Sequence, residues 1–278
     1  MSNHKRKVDA RNLELEDPKD DGESEAVTAP VKEEDSWIKT IGYALLIALT
    51  VRTLVFEPFN IPSSSMKPTL LIGDYLFVSK FSYGISKYSF PFGDKIFGGL
   101  FEGRILGQEP ERGDVIVFRK PTNPSIDFIK RLIGLPGDTI QVIGGQLHIN
   151  GTVVSRDLVR IGDGSDGLGL GEKEYEETLP NGVKHLIWER TDQAWQDNTR
   201  PYTVPEGYYF FMGDNRDNST DSRFDEVGVV PFENLIGRAD MLFFSHRGDD
   251  GGEDYGDWWE IWKWGEMIRF GRIFNGIN

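Results

Sequence analysis

A 20-residue apolar segment, residues 37–56 (WIKTIGYALLIALTVRTLVF), constrains this chain more than any other feature of its sequence. As an α-helix rising about 1.5 Å per residue, it would reach roughly 30 Å, the thickness of a bilayer's hydrocarbon core. Lys39 and Arg52 lie near its two ends, where long basic side chains can reach the membrane interface. We therefore predict one transmembrane helix over residues 37–56; a secretory signal peptide and a buried core helix are the alternatives.

Residues 1–36 carry 6 basic and 11 acidic residues and almost no large apolar ones. Such a segment cannot bury enough apolar surface to offset its loss of conformational entropy, so we predict a disordered acidic tail. The basic residues that flank the apolar segment are nearly balanced between its two sides. The positive-inside rule therefore favours a cytoplasmic N-terminus only weakly.

Composition excludes several classes of function. The chain has 278 residues, enough for one or two domains, and contains no cysteine. It therefore has no disulfides, no thiolate nucleophile and no cysteine-ligated zinc. Its formal net charge of −14 argues against a nucleic-acid partner.

From residue 57 onward the pattern is typical of β-strands, and no long periodic helix is evident. Residues 112–118, 207–212 and 237–245 read as strands, and residues 139–155 as short strands joined at two hairpin dipeptides, Gly144-Gly145 and Asn150-Gly151. We predict a mainly β, antiparallel domain over residues 57–278, with a subdomain excursion at about 141–204.

Two other segments of this domain have unusual compositions. Residues 161–177 are rich in glycine and acidic residues, which predicts a mobile loop. The Trp-rich C-terminal tail, residues 256–278, shows no clean apolar stripe on a helical projection. It could contact the membrane interface or pack on the β domain.

The stretch IPSSSMKPTL, residues 61–70, places three serines in a row directly after the apolar segment. A serine hydroxyl is a poor nucleophile until a neighbouring base takes its proton. None of the four histidines lies in a recognisable catalytic motif, and we expect them to be surface or structural: His4, His148, His185 and His246. A lysine can serve instead if burial keeps its amine neutral.

Residues 125–134, SIDFIKRLIG, contain such a lysine. In a strand, Lys130 shares one face with large apolar residues, while Arg131 lies on the other face, where we expect Asp127 to pair with it. Lys130 would be a base or an edge lysine whose amine reaches water. The S-x-x-K pair Ser64 and Lys67 is a third candidate, which prolines on both sides disfavour because no helix fits there.

A third cluster, GDNRDNSTDSRFDE, residues 213–226, is rich in acidic residues. Read from Asp217 as a calcium loop, it has Ser222 where the turn glycine belongs and Gly228 where the bidentate glutamate belongs. We therefore expect no metal there. Acids, arginines and small polar residues instead indicate a hydrogen-bonded ion-pair loop.

These stretches together resemble bacterial type I signal peptidases, the leader peptidases. Residues 57–84 resemble the family's serine box, residues 112–118 and 128–138 its lysine box, and residues 213–223 its third box. The resemblance implies a mostly antiparallel β fold on the membrane surface. Relatives commonly have glycine where this chain has Ser64, so Ser64 reads as a spacer.

The resemblance also implies the roles of individual residues. The family's nucleophile is the serine directly before the methionine, so the resemblance assigns that role to Ser65. It assigns the role of general base to Lys130. The resemblance assigns the oxyanion-stabilising hydroxyl to Ser63, which acts with the Ser65 amide. It assigns the serine that orients the lysine amine to Ser219. The supporting ion-pair loop implies Asp214, Arg216, Asp221 and Arg223. The walls of the S1 and S3 pockets imply Phe59, Ile61, Pro62, Met66, Leu70, Phe128 and Ile129.

The implied activity is removal of N-terminal signal peptides from exported preproteins after small residues of the Ala-x-Ala type, without metal or cofactor. The implied location is the bacterial inner membrane, single-pass, with a cytoplasmic N-terminus and a periplasmic catalytic domain. Partners would be the signal peptides and the lipid bilayer, with export machinery as a further candidate. The alternatives are a catalytically inactive membrane-tethered binding module of the same fold and a self-cleaving Ser/Lys protease of the repressor type.

Overall fold

The computed structural model describes residues 34–54, 56–84, 86, 103–165, 167–247 and 264–277. Residues 1–33 of the predicted tail lie outside this part of the chain, as do Trp258, Trp259 and Trp262 of the Trp-rich C-terminus. The chain divides into two units, Met1–Tyr43 and Ala44–Asn278.

The N-terminal helix α1 spans Glu34–Leu54, so it begins three residues before the predicted start and ends two residues before the predicted end. Phe56 already belongs to strand β1, Phe56–Asn60, in which Pro58 lies. Proline lacks the N–H that a continuing helix would need, which accounts for the earlier helix end. Among the described helices, none is both long and apolar enough to cross a membrane.

Within the described residues, the main sheet has seven strands in the order β1-β2-β14-β3-β4-β12-β13, and every neighbouring pair is antiparallel. Its other strands are β2 (Asp74–Ser79), β3 (Val115–Lys120), β4 (Asn123–Gly134), β12 (Tyr208–Met212), β13 (Val230–Pro231) and β14 (Leu235–Ser245). The mainly β, antiparallel prediction is confirmed.

Apolar side chains cover both faces of the middle of this sheet. In β3, Val115 and Val117 join one buried cluster, whereas Ile116 and Phe118 join another. Because successive side chains of a strand point to opposite faces, an uninterrupted run such as VIVF suits a strand that is buried on both sides.

Two smaller sheets are formed by strands that lie between β4 and β12 in the chain, where the sequence predicts a subdomain excursion. One has the order β11-β5-β6-β7 and the other β10-β9-β8. Their strands are β5 (Thr139–Ile143), β6 (Gln146–Ile149), β7 (Thr152–Val153), β8 (Ser155–Ile161), β9 (Lys173–Thr178), β10 (Lys184–Glu189) and β11 (Tyr202–Thr203). Both predicted hairpin turns are confirmed: Gly144 and Gly145 have φ of 53° and 73°, and Asn150 and Gly151 have φ of 54° and 77°, the left-handed values that tight hairpins need.

The predicted loop over residues 161–177 is wrong in its second half, because Lys173–Thr178 forms β9, the middle strand of its sheet. Its acidic side chains have partners elsewhere in the fold that composition does not reveal. Glu174 accepts hydrogen bonds from Arg160 and from Trp188 Nε1, at 3.0 and 2.7 Å, and Glu177 pairs with Arg216. Ion pairs and hydrogen bonds with residues elsewhere in the fold therefore allow this acidic segment to form the middle strand of a sheet.

The C-terminal segment begins with the short helix α2, Trp264–Met267, and its described residues pack on the β domain. Arg272 Nη2 donates to Asp74 Oδ2 at 2.6 Å and to the Thr69 carbonyl at 2.9 Å. Arg269 Nη1 donates to the Ile72 carbonyl at 2.9 Å. Packing on the domain is therefore the alternative that the structure supports for residues 264–277.

Candidate active site

The three serines lie in the loop that joins β1 to β2. Tight backbone turns shape this loop: Lys67 N donates to the Ser64 carbonyl at 3.1 Å, and Leu70 N to the Met66 carbonyl at 2.9 Å. The Met66 and Leu70 side chains are fully buried in the core beneath it. These two anchors hold Ser65 in a defined position at the edge of the main sheet.

Lys130 of β4 meets Ser65 across this edge. Its Nζ lies 2.6 Å from Ser65 Oγ and 2.9 Å from the Ile129 carbonyl. Burial, which leaves Lys130 4% exposed, lowers the pKa of its amine to about 8, although Asp221 and Asp214 act to raise it. A sizeable fraction of the amine is therefore neutral near physiological pH and can accept the serine proton.

The other two serines have separate surroundings. Ser63 Oγ lies 3.3 Å from Ser65 Oγ, whereas Ser64 Oγ accepts a hydrogen bond of 2.7 Å from Asn218 Nδ2. The amine of Lys67 lies 5.9 Å from the centroid of the Trp188 ring. Ser64 and Lys67 thus have different neighbours, which leaves the alternative S-x-x-K pair without support.

The loop at residues 213–223 forms hydrogen bonds with the backbone of the serine loop. Asn215 N donates to the Ser65 carbonyl at 3.1 Å, and Asn215 Nδ2 donates to the Ser64 carbonyl at 3.1 Å. A Cβ added to Gly213 would lie only 2.5 Å from the Ser65 carbonyl oxygen, so this close approach requires glycine. Sequence reasoning missed Asn215 and Asn218, because an asparagine between charged residues carries no sign of its partner.

Ser219 is buried and packs against Gly213, beside the serine loop. Its hydroxyl lies near enough to Asp221 to help lower the pKa of that carboxyl, but it makes no hydrogen bond of good geometry within the described residues. No hydrogen bond joins it to Lys130, so its orienting role stays a prediction.

The pairing expected for Arg131 is wrong. Arg131 is fully buried and forms a bidentate pair with Asp214, its Nε and Nη2 lying 2.9 and 2.7 Å from the two carboxylate oxygens. Asp127 instead pairs with Arg119, its direct partner in the β3–β4 register, at 2.9 Å. Burial acts to raise the pKa of Asp214, but Arg131 outweighs it and holds the pKa below its ordinary value.

The remaining charged residues of the third box are also paired. Asp221 binds Arg223 through its side chain, with 2.9 Å between Oδ1 and Nε. Arg216 pairs with Glu177 of β9 at 2.5 and 2.9 Å, a partner that sequence reasoning missed. The buried ring of His185 lies 3.4 Å from Glu177, and burial lowers its pKa. These pairs connect the third box to the subdomain.

A pocket of about 550 Å³ opens in front of Ser65 and Lys130. Phe59, Ile61, Pro62, Phe128 and Ile129 line it, as the resemblance implies. Met66 and Leu70 do not, because both are fully buried in the core. The lining residues that the sequence did not predict are Asn60, Ser64, Val117, Ile126, Asp127, Asn218 and Thr220.

The calcium loop considered at Asp217 is not formed. The Asp217 carboxylate accepts hydrogen bonds from the backbone N–H groups of Arg190 and Thr191, at 2.7 and 2.9 Å. Asp221 faces Arg223 instead. Asp217 and Asp221 therefore have different partners and do not form one calcium loop.

Comparison with known proteins places this site in a family. The family model "Signal peptidase, peptidase S26" matches residues 35–244. This chain belongs to that family. Signal peptidase I of Rickettsia typhi is 44% identical over 84% of this chain and 90% of its own length, and that of Rickettsia prowazekii is 43% identical over 86% and 92%. A crystal structure of signal peptidase I from Enterococcus faecalis V583 is 31% identical over 47% of this chain and 97% of that one, with a TM-score of 0.30.

The S26 family is a family of peptidases, and this member is a serine peptidase and a hydrolase. The matched region contains Ser65, Lys130 and the loop at residues 213–223, so the Ser/Lys pair agrees with the family. The C-terminal segment, residues 264–277, lies outside the match, although Arg272 binds the backbone of the serine loop at Thr69.

Proposed function

We propose that this S26 peptidase removes N-terminal signal peptides from exported preproteins, cutting after small residues of the Ala-x-Ala type. The observation that carries the proposal is the 2.6 Å contact between Lys130 Nζ and Ser65 Oγ at the edge of an open pocket. The names of the similar proteins support the substrate class. A buried amine of lowered pKa, next to a serine and within reach of an extended peptide, suits amide hydrolysis.

In the proposed reaction, Ser65 Oγ attacks the carbonyl carbon of the scissile bond while its proton passes to the neutral Lys130 amine. The tetrahedral intermediate collapses, and the leaving amine takes this proton from Lys130. Water then attacks the acyl-enzyme ester, again giving a proton to Lys130. That proton returns to Ser65 Oγ as the new C-terminus leaves.

The Ser63 hydroxyl and the Ser65 amide would stabilise the oxyanion. Ser63 Oγ lies 3.3 Å from the attacking oxygen, close enough to reach an oxyanion that forms on the adjacent carbon. Removing one such donor usually slows the chemical step by about 10²–10³.

The substrate would lie extended between two walls of the pocket. Residues 59–65 form one wall and residues 126–130 of β4 the other. Phe59, Ile61 and Ile129 also pack against the core, so these walls are rigid. Rigid apolar walls favour small side chains near the scissile bond, which supports the Ala-x-Ala preference.

We further propose that α1 attaches the chain to the inner membrane, with the N-terminus in the cytoplasm and the β domain on the periplasmic side. The large apolar side chains of α1 support this, since those described are exposed: Trp37, Ile38, Ile41, Tyr43, Leu45, Leu46 and Ile47. Attachment would raise the local concentration of preproteins that emerge from the export machinery. Membrane fractionation and protease accessibility of the β domain in spheroplasts would test this arrangement.

The central test is cleavage of a purified preprotein by the detergent-solubilised chain. Ser65→Ala and Lys130→Met should each abolish cleavage without unfolding the protein, whereas Ser64→Ala should keep most of the activity. A folded wild-type chain that binds preprotein but never cleaves it would instead favour the inactive binding module. Cleavage of its own backbone, with no cleavage of preprotein, would favour the repressor-type protease.

A further inference from the structure

Three carboxylates outside the proposed active site meet at one point of the subdomain. They belong to Glu189 at the end of β10, Asp197 in the loop before β11, and Asp217 in the third box. One oxygen from each lies within 4.8 Å of the others. Like charges at this spacing repel one another, so the cluster requires a compensating positive charge or a proton.

Glu189 makes no hydrogen bond within the described part of the chain, and its ion pair with Arg156 is 3.8 Å long. The residue is 2% exposed, and neither of its side-chain oxygens has a hydrogen-bond partner there. Asp197, which is 1% exposed, also leaves Oδ1 without a hydrogen bond. A buried carboxylate without hydrogen bonds costs free energy that a native fold rarely tolerates without a ligand.

The neighbouring arginines supply the missing charge only in part, although both act to lower the pKa of Glu189. The two Nη atoms of Arg216 donate to Glu177, and none of the described residues accepts a hydrogen bond from its buried Nε. Arg156 donates to Asp192 at 2.7 Å and comes no closer than 3.8 Å to Glu189. In this setting, burial raises the pKa of Glu189 to about 8, and Asp217 and Asp197 add to that effect.

The spacing of the oxygens suits calcium. Calcium binds oxygen ligands at about 2.3–2.6 Å, so two ligands on opposite sides of one ion are about 5 Å apart. Calcium also accepts irregular geometry, whereas magnesium demands a near-ideal octahedron at about 2.0–2.1 Å. Three carboxylates held by separate segments of the fold match the first requirement better.

We propose that Glu189, Asp197 and Asp217 bind one hard divalent cation, calcium in preference to magnesium. The ion joins the subdomain to the third box, because Glu189 and Asp197 belong to the former and Asp217 to the latter. Asp217 precedes Asn218, whose amide holds the Ser64 hydroxyl. The cation therefore stabilises the loop that supports the serine segment, at a distance from the reacting atoms.

Terbium luminescence provides a direct test on the full chain in detergent, because Trp188 and Trp195 are next to and near the ligands in sequence and can sensitise a bound Tb³⁺ ion. We expect saturable binding that calcium displaces. Glu189→Gln should weaken it by about tenfold or more. The matched control is Glu176→Gln, which removes the same charge from a partly exposed residue that pairs with Lys184 on the same hairpin. It should leave the titration unchanged.

Thermal unfolding adds a second readout, and neither readout needs peptidase activity. Calcium at a large excess over its Kd should raise the unfolding midpoint of the wild type and of Glu176→Gln by on the order of 5 °C. It should not raise that of Glu189→Gln or Asp197→Asn. Equal titrations in the wild type, Glu189→Gln and Glu176→Gln would overturn the proposal. It would also be overturned if Glu189→Gln gained stability without metal and calcium had no effect on the wild type, since Glu189 would then be a protonated acid.

Discussion

Lys130 and Arg131 are neighbours in β4, and both are buried, yet they lie in opposite electrostatic surroundings. The amine of Lys130 contacts a hydroxyl, a carbonyl and the face of Phe128, and none of the described carboxylates lies within ion-pair distance of it. Arg131 points to the other face and meets Asp214 with two hydrogen bonds. One residue along the strand thus separates an apolar setting from an ionic one.

The difference explains how one strand can carry both the proposed base and a buried ion pair that supports the fold. Burial without a counter-ion lowers the pKa of the lysine to about 8, which makes it a usable base. An arginine remains charged in any protein environment, so it can serve only as a paired structural cation. A lysine in the ionic setting would stay charged, and an arginine in the apolar setting would lack a counter-ion.

Asp214→Asn should have the largest effect on the ion pair of Arg131, because it leaves this arginine buried beside a neutral amide. We expect the free energy of unfolding to fall by about 3–5 kcal/mol, the usual effect of removing one partner from a buried pair. Chemical denaturation would measure it. Asp127→Asn on the same strand is the control: its partner Arg119 is partly exposed, so the loss should stay below about 1 kcal/mol. Similar losses for both variants would contradict the comparison.

On the lysine side, neutral groups carry the proposed chemistry, and Ser63→Ala tests this. We expect kcat to fall by about 10²–10³ with little change in KM, because an oxyanion donor acts mainly in the transition state. Steady-state kinetics on a preprotein would measure both constants, with Ser64→Ala as the control of nearly unchanged rate. A rise in KM at constant kcat would make Ser63 a binding residue instead.

Lys130→Met should raise stability while it abolishes activity. Well below pH 8 the wild-type lysine is protonated in both states, and burying its charge lowers the free energy of unfolding by roughly 3 kcal/mol. Between pH 8 and about 10.5 the unfolded chain binds more protons, so wild-type stability rises with pH. The advantage of Lys130→Met should therefore be largest below pH 8 and shrink above it. A variant less stable than the wild type at pH 7 would refute the account.

The acidic limb of kcat/KM should report the same lysine. Activity should fall about tenfold for each pH unit below about 8, since only the neutral amine accepts the serine proton. The controls are His148→Gln with His246→Gln, and separately Glu189→Gln, because burial raises the pKa of Glu189 into the same range. His185 is tested alone because it is buried beside Glu177. An active control variant that lost this limb would assign it to the replaced group.

Much of the site follows from local pattern. Strand alternation places Lys130 on an apolar face, and the hairpin dipeptides at residues 144–145 and 150–151 form the predicted turns. Alternation did not identify the nucleophile, because all three serines are equivalent in a polar loop; the resemblance to a known family selected Ser65. The resemblance also places Met66 and Leu70 in the wall of a pocket, whereas the structure places both in the buried core.

The amino-acid sequence by itself determined which residues could be strands, where the turns fall, and that Lys130 and Arg131 face opposite ways, because these depend on backbone geometry over a few residues. Only the tertiary structure decided the partners. Arg131 binds Asp214, 83 residues away, and Arg216 binds Glu177, 39 residues away. Buried charges select partners by proximity in space, and the free energy of an ion pair depends on desolvation, which no local pattern encodes. The lowered pKa of Lys130 likewise exists only after the fold has removed water from its amine.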